Sequence, residues 1–111
     1  MIGHASVYDA ASPEVFRVLV MRYWPRGVKR ERVDLWLKDA APSRGLLNAY
    51  NHEDLDWSTF DERYRQEMRE RPAVLQQLRD LEREHGTLTL LCHEREGHCH
   101  RLILADLLAA G

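Results

Sequence analysis

The run from Val15 to Met21 (Val-Phe-Arg-Val-Leu-Val-Met) is apolar on both faces of an extended chain, interrupted only by Arg17. Such a strand must be covered on both sides, as at the centre of an α/β sheet. Thr87-Leu88-Thr89-Leu90-Leu91-Cys92 reads as a second short buried strand. Ile2 to Tyr8 reads as a first strand, ended by the turn residues Asp9-Ala10-Ala11-Ser12-Pro13. Val33-Asp34-Leu35-Trp36-Leu37 alternates briefly, as a third short strand or a helical turn would, and we take it as strand.

Helical patterns fill the middle of the chain. Ser43, after Ala41-Pro42, suits the N-cap of a helix through Leu46, Leu47 and Tyr50. Asn51-His52-Glu53-Asp54 then makes a polar connection. Asp56 or Ser58 can cap a helix in which Phe60, Tyr64 and Met68 recur every four residues. Pro72 fits the first turn of the next helix, Leu75, Leu78 and Leu81 carry its apolar face, and Gly86 ends it. A last helix is expected from about His98 through the apolar run Leu102 to Ala110. Buried strands separated by helices predict an α/β fold: a small three-layer domain with a short, mostly parallel central sheet flanked by helices. At 111 residues the chain supplies one core, so residues 1–111 are expected to form a single domain.

Charge and composition narrow the function classes. A hydrophobic content of 44% argues against disorder, and a net charge of −2 gives no general pull toward nucleic acid or acidic membranes. No apolar run approaches membrane-spanning length, and the first residues lack the basic and apolar parts of an export leader. A cytoplasmic location with reduced thiols at Cys92 and Cys99 is therefore expected, with no membrane partner.

Ligands of parallel sheets bind outside the carboxyl ends of the strands. Two candidate loops fall there, Arg22-Tyr23-Trp24-Pro25-Arg26-Gly27-Val28-Lys29 after one strand and Cys92-His93-Glu94-Arg95-Glu96-Gly97-His98-Cys99-His100-Arg101 after the other. If the strands are neighbours, Arg22, Trp24, Arg26, Lys29 and Arg101 converge with a helix N-terminus on a pocket for a small anion or phosphate group. The plainer reading pairs these arginines with Asp34, Asp39 and Glu94 in a surface network of little worth. Cys92 or Cys99, beside cationic groups and a helix start, would carry a populated thiolate, with His93 or His100 as proton carrier. The spacing does not reproduce the Cys-x5-Arg anion cradle, because His98 stands where the arginine would.

Cys92, His93, His98, Cys99 and His100 include ligand types that zinc favours, but lack the paired Cys-x2-Cys spacing of a structural site. A helix would also splay adjacent ligands, so neither a metal nor any other cofactor is assigned. A rival reading makes Tyr23 to Arg32 a basic and aromatic surface for nucleic acid or a protein partner, although tryptophans at such positions more often pack. Oligomeric state is left open.

The Arg-Tyr-Trp-Pro-Arg-Gly-Val-Lys run at 22–29, Asp-Leu-Trp-Leu-Lys-Asp-Ala-Ala-Pro-Ser at 34–43, Phe-Asp-Glu-Arg-Tyr at 60–64 and the strand from Thr87 to Leu91 resemble the YeaO-like branch of domain of unknown function family 488. That resemblance spans nearly the whole chain and implies a small three-layer α/β domain of unestablished biochemical role. Met21 stands where that branch usually carries an acidic residue, and Cys99-His100-Arg101 is similar to longer relatives in the wider family.

Overall fold

The computed structural model describes residues 1–9, 15–52, 55–93 and 99–110. Four strands, β1 (Ile2–Ser6), β2 (Phe16–Leu19), β3 (Leu35–Trp36) and β4 (Leu88–Cys92), form one sheet in the order β1-β4-β2-β3. Every pairing is parallel. The helices are α1 (Arg44–His52), α2 (Trp57–Arg69), α3 (Pro72–His85) and α4 (His100–Ala110). The chain is an α/β protein, as its strand and helix patterns predict.

The most apolar strands sit at the centre. Leu19 of β2 registers against Leu91 of β4, and Ser6 of β1 against Cys92. Alternation sends Val18, Val20, Leu88 and Leu90 to one face, where they meet Leu46, Phe60, Tyr64, Met68, Leu78, Ile103, Leu104 and Leu108 from the four helices. Leu19 and Leu91 face the other side, packing with Val7 and Val28 and, around them, Trp24, Val33 and Trp36. Helices thus cover one face, and the chain between β2 and β3 forms the remaining layer. The sequence predicts helices flanking the sheet without saying on which side; the 20–33 segment covers the second face because its own valines and tryptophans are apolar enough to do so.

The caps follow local chemistry. Leu46 N–H donates to Ser43 Oγ at 3.2 Å, and Thr59 N–H donates to Asp56 Oδ1 at 2.9 Å, which settles the second cap on Asp56. Pro72 begins α3, and Gly86, with φ of 81°, ends it in backbone that other residues rarely adopt. Among the described residues no helix is long and apolar enough to cross a membrane.

Candidate functional site

Parallel pairing puts the carboxyl ends of all four strands on one rim, and the sheet's hydrogen bonds run on into it. Val20 N–H donates to Leu91 O at 3.0 Å, and Val7 N–H donates to Cys92 O at 2.7 Å. Ser6 Oγ donates to His93 O at 3.0 Å. The end of β4 is therefore gripped by a strand on each side, which fixes where the Cys92 side chain starts.

Helix α4 brings the other half. His100, Leu104 and Leu108 recur every four residues along its buried stripe, so His100 occupies a core position at the first turn. Its Nε2 lies 2.5 Å from Val20 O. A carbonyl only accepts, so Nε2 carries the proton and Nδ1 is the basic nitrogen. Nδ1 lies 3.9 Å from Cys99 Sγ. The Tyr64 ring stands edge-on to the imidazole at 5.5 Å, and its hydroxyl donates to Ala40 O at 2.6 Å. Burial holds the Tyr64 hydroxyl well above its ordinary pKa, so it stays a neutral donor.

The two cysteines meet here. The sulfurs of Cys92 and Cys99 and a ring nitrogen of His100 all lie within 4.8 Å of one another. Cys92 and Cys99 are 1% and 3% exposed, and His100 is 8% exposed. The Cys92 thiol donates to Cys99 and is the largest influence lowering the Cys99 pKa; burial opposes it, and the His100 ring and the Arg101 backbone N–H reinforce it. The outcome is a Cys99 thiol held far below the usual range, at about 5. Cys99 immediately precedes α4, so its sulfur takes the place of an N-cap oxygen, and the helix start stabilises its charge.

A cavity of about 250 Å³ opens over these groups. Cys92, His93, Cys99 and His100 line it at one end, with Arg22 and Arg44 as cations, Asn48 and Asn51 as amides, and Tyr50 and Trp57 as an aromatic wall. Trp57 stacks on Phe60 with ring centres 5.1 Å apart. Arg22 is held by the chain before α1: its Nε donates to Pro42 O at 2.9 Å and an Nη donates to Ala41 O at 3.5 Å. Arg44 lies over the exposed Tyr23 ring at 5.9 Å.

The structure divides the residues that the sequence groups together. Arg22, Cys92, Cys99 and His100 share the cavity, and so does His93. Trp24 does not: it packs edge-on to Trp36 at 5.3 Å on the opposite face of the sheet, and its Nε1–H closes the turn at Gly27 by donating to Val28 O at 2.9 Å. Arg26 and Lys29 are exposed on that same turn and line no part of the cavity. Arg101 is 4% exposed within α4, and its side chain is also absent from the lining. The expected convergence of Arg26 with Arg101 therefore does not occur, because the segment after Tyr23 folds back over the far face. Glu94, Arg95 and His98 lie outside the described residues.

The surface network differs from the expected one at Asp34, whose partner is Arg17 rather than Arg22, Arg26, Lys29 or Arg101. Asp34 pairs with Arg17 at 3.0 Å, and that guanidinium lowers the carboxyl's pKa, so Asp34 is engaged away from the cavity. Sequence reading passed over Arg44, Asn48, Asn51 and Trp57 as site residues. Their signal is positional, because α1 and the start of α2 follow the same Ala41-Pro42-Ser43 segment that anchors Arg22. Sequence spacing also understated the Cys92–Cys99–His100 cluster, since a strand end and a helix start meet in space across residues that separate them in the chain. Two cysteine sulfurs and an imidazole whose other nitrogen is tied to a carbonyl form the one cluster among the described residues able to hold a borderline metal such as zinc.

The family model described as "DUF488-N3a: Active DUF488-N3 subclade" matches residues 2–111. The chain is 34% identical over 105 residues to the uncharacterized protein YeaO of Escherichia coli (strain K12), covering 92% of this chain and 91% of that protein. It is 35% identical over 107 residues to the uncharacterized protein Rv3073c of Mycobacterium tuberculosis (strain ATCC 25618 / H37Rv), covering 94% and 90%. The uncharacterized protein Mb3100c of Mycobacterium bovis (strain ATCC BAA-935 / AF2122/97) is similar to the same extent. No solved structure matches the chain.

Proposed function

The chain belongs to the DUF488-N3a family, and from that premise we propose that it is a cytoplasmic thiol enzyme whose Cys99 attacks a small anionic substrate held in the cavity by Arg22 and Arg44. The observation that carries this reading is the pairing of Cys99 Sγ with His100 Nδ1 at 3.9 Å on the wall of a cavity that also presents two guanidinium groups. The family description's word "Active" agrees with it.

In this reading each residue has a physical task. Arg22 presents a guanidinium whose orientation is already set by two carbonyls, so little side-chain freedom is lost when an anion binds. Asn48 and Asn51 offer amides, and Tyr50 and Trp57 offer an apolar wall for a planar part of the substrate. Cys99 is the nucleophile, Cys92 donates a hydrogen bond to its thiolate, and His100 Nδ1 receives or returns the proton. The carbonyl of Val20 keeps the imidazole in the tautomer this requires.

The test compares two alkylating reagents of equal size. Iodoacetate carries a negative charge and iodoacetamide does not, and ordinary thiolates react more slowly with the charged one. Wild-type Cys99 should invert that order, and millimolar phosphate should slow both reagents. Arg22→Ala should restore the ordinary order, an effect of about tenfold for one charge-assisted contact. An unchanged order in the wild type, together with no protection by phosphate, would overturn the proposal.

A further inference from the structure

We infer that Cys92 and Cys99 form a reversible disulfide within the chain when the protein meets a hydroperoxide, with Cys99 as the sulfur attacked first and Cys92 as the one that resolves it. The two sulfurs lie within 4.8 Å of each other and of a His100 ring nitrogen, one at the end of β4 and the other at the start of α4. Both side chains line the same cavity, whose exposed residues Tyr23, Arg44, Asn48 and Asn51 give a small solute a way in from solvent. An S–S bond needs about 2.05 Å, so closure from within 4.8 Å asks for a movement of about 2.8 Å at most, shared between rotations about the two Cα–Cβ bonds. This inference shares Cys99 with the catalytic reading, yet needs no organic substrate and gives Cys92 a covalent role.

The chemistry balances around His100. The Cys99 thiol gives its proton to Nδ1 of His100, the thiolate attacks one peroxide oxygen, the O–O bond breaks, and the leaving hydroxide takes that proton back from Nδ1 and departs as water. Cys99 is then a sulfenic acid. The Cys92 proton passes to Nδ1, and the Cys92 sulfur attacks the Cys99 sulfur. The S–O bond breaks, and the hydroxide takes that proton back and leaves as the second water. Two thiols and one peroxide become one disulfide and two waters, and an added dithiol returns the disulfide to two thiols.

What distinguishes this site from two thiols that oxidise at random is the order of events. Cys99 stands at the start of α4 with Nδ1 of His100 3.9 Å from its sulfur, so it is oxidised first. Cys92 is the more buried of the two and sits on the rigid end of β4, where it waits for its neighbour.

One molar equivalent of hydrogen peroxide at neutral pH is added to the intact protein, and free thiols are counted in denaturant alongside the intact mass. The wild type should fall from two free thiols to none, lose two hydrogens in mass, stay monomeric in that denaturant, and recover with dithiothreitol. Cys92→Ser, which keeps a hydroxyl donor beside Cys99, should gain one oxygen and be trapped by dimedone at Cys99. Cys99→Ser should react with neither peroxide nor dimedone over the same interval. Both thiols surviving in the wild type, a disulfide joining two chains, or dimedone trapping at Cys92 in Cys99→Ser as fast as at Cys99 in Cys92→Ser would overturn the inference. A disulfide that forms in a protein lacking both the iodoacetate preference and protection by phosphate would sink the catalytic reading alone. The preference without the disulfide would sink this one alone.

Discussion

The two faces of the sheet each carry a hollow lined by a tryptophan and an arginine, and they differ in almost everything else. On the far face a space of about 370 Å³ is bounded by Trp24, Arg30, Val33, Asp34, Leu35 and Trp36. On the helix face the smaller cavity of about 250 Å³ holds both cysteines and two histidines. The larger space has no thiol or imidazole on its wall, its carboxylate Asp34 is paired with Arg17, and the indole N–H groups around it bond to the backbone: Trp24 to Val28 O, and Trp36 to Met21 O at 2.8 Å. Volume is not what separates the two hollows; their lining is. The smaller cavity has an imidazole nitrogen, a thiol of lowered pKa and guanidinium groups on its wall, the groups on which the proposed chemistry rests. The chain between Arg22 and Trp24 crosses from one environment to the other, so a single sequence motif serves both.

That contrast predicts opposite phenotypes for neighbouring residues. Trp24→Ala should be the most damaging substitution on the far face, costing about 2 kcal/mol, less than a fully buried tryptophan because Trp24 is only half-buried. Denaturant unfolding would measure it. The pH profile of Cys99 alkylation in the folded variant should stay where the wild type has it. A shift of that profile would mean that the far face reaches the cavity and that the two hollows are one functional unit.

The cavity's own largest effect should appear in pH. Iodoacetamide labelling of Cys99 should keep its plateau down to about pH 6, whereas an ordinary thiol with a pKa near ~8.5 loses its thiolate there. At pH 6 the gain in rate should be only about tenfold, because a less basic thiolate is also a weaker nucleophile. Linkage gives a second readout. The folded pKa lies below the unfolded one, so between them the unfolded chain binds more protons and stability rises with pH. The wild type should therefore gain stability over Cys99→Ser as pH climbs from about 5 toward ~9, the unfolded thiol's range, and lose that gain as pH falls through about 5. A difference between the two proteins that does not vary with pH would remove the case for a stabilised thiolate.

Much of this contrast was legible in the sequence, and the part that was not has a physical reason. The apolar runs of β2 and β4 identify central parallel strands, because few other environments bury both faces of a strand. The caps at Ser43 and Asp56, and the start and stop at Pro72 and Gly86, follow from local hydrogen bonding and φ preference, which tertiary contacts rarely overrule. The meeting of Arg22 with Cys92, Cys99 and His100 follows once β2 and β4 are adjacent. Which side of the sheet a loop falls on is a different kind of question. Nothing local distinguishes Arg22 from Arg26, and only the packing of Trp24 on Trp36 sends the second to the far face. His100 was the harder residue to place: it occupies a leucine position on the stripe of α4, and its polar partner, the Val20 carbonyl, is distant in sequence.

Tyr64→Phe probes the support beneath the cavity. The hydroxyl bonds the carbonyl of Ala40, and the next two carbonyls, of Ala41 and Pro42, hold Arg22. Losing one buried hydrogen bond should cost about 1 kcal/mol in denaturant unfolding. It should also weaken the iodoacetate preference while leaving the iodoacetamide profile in place. Equal changes with both reagents would instead show that the tyrosine acts on His100 through their edge-on ring contact.

The smallest effect expected is also the sharpest test of the far face. Arg26 is exposed, and it is its carbonyl, not its guanidinium, that accepts the Tyr8 hydroxyl at 3.0 Å, a bond that any residue at the position would keep. Arg26→Ala should therefore change stability by less than ~0.5 kcal/mol and leave both alkylation profiles untouched. Arg32 is already tied down, donating to Val7 O at 3.3 Å and Asp9 O at 3.4 Å, so the turn presents Tyr23, Arg26, Lys29 and Arg30 at most as a free basic surface. A net charge of −2 gives no general pull toward nucleic acid, and with Trp24 turned inward the exposed ring on this turn is Tyr23, over which Arg44 already lies. Single-stranded DNA should accordingly show no binding at low salt that Arg26→Ala reduces. A salt-sensitive affinity that does fall with this substitution would reverse the comparison, because the face assigned here to packing would then be the one that meets a partner.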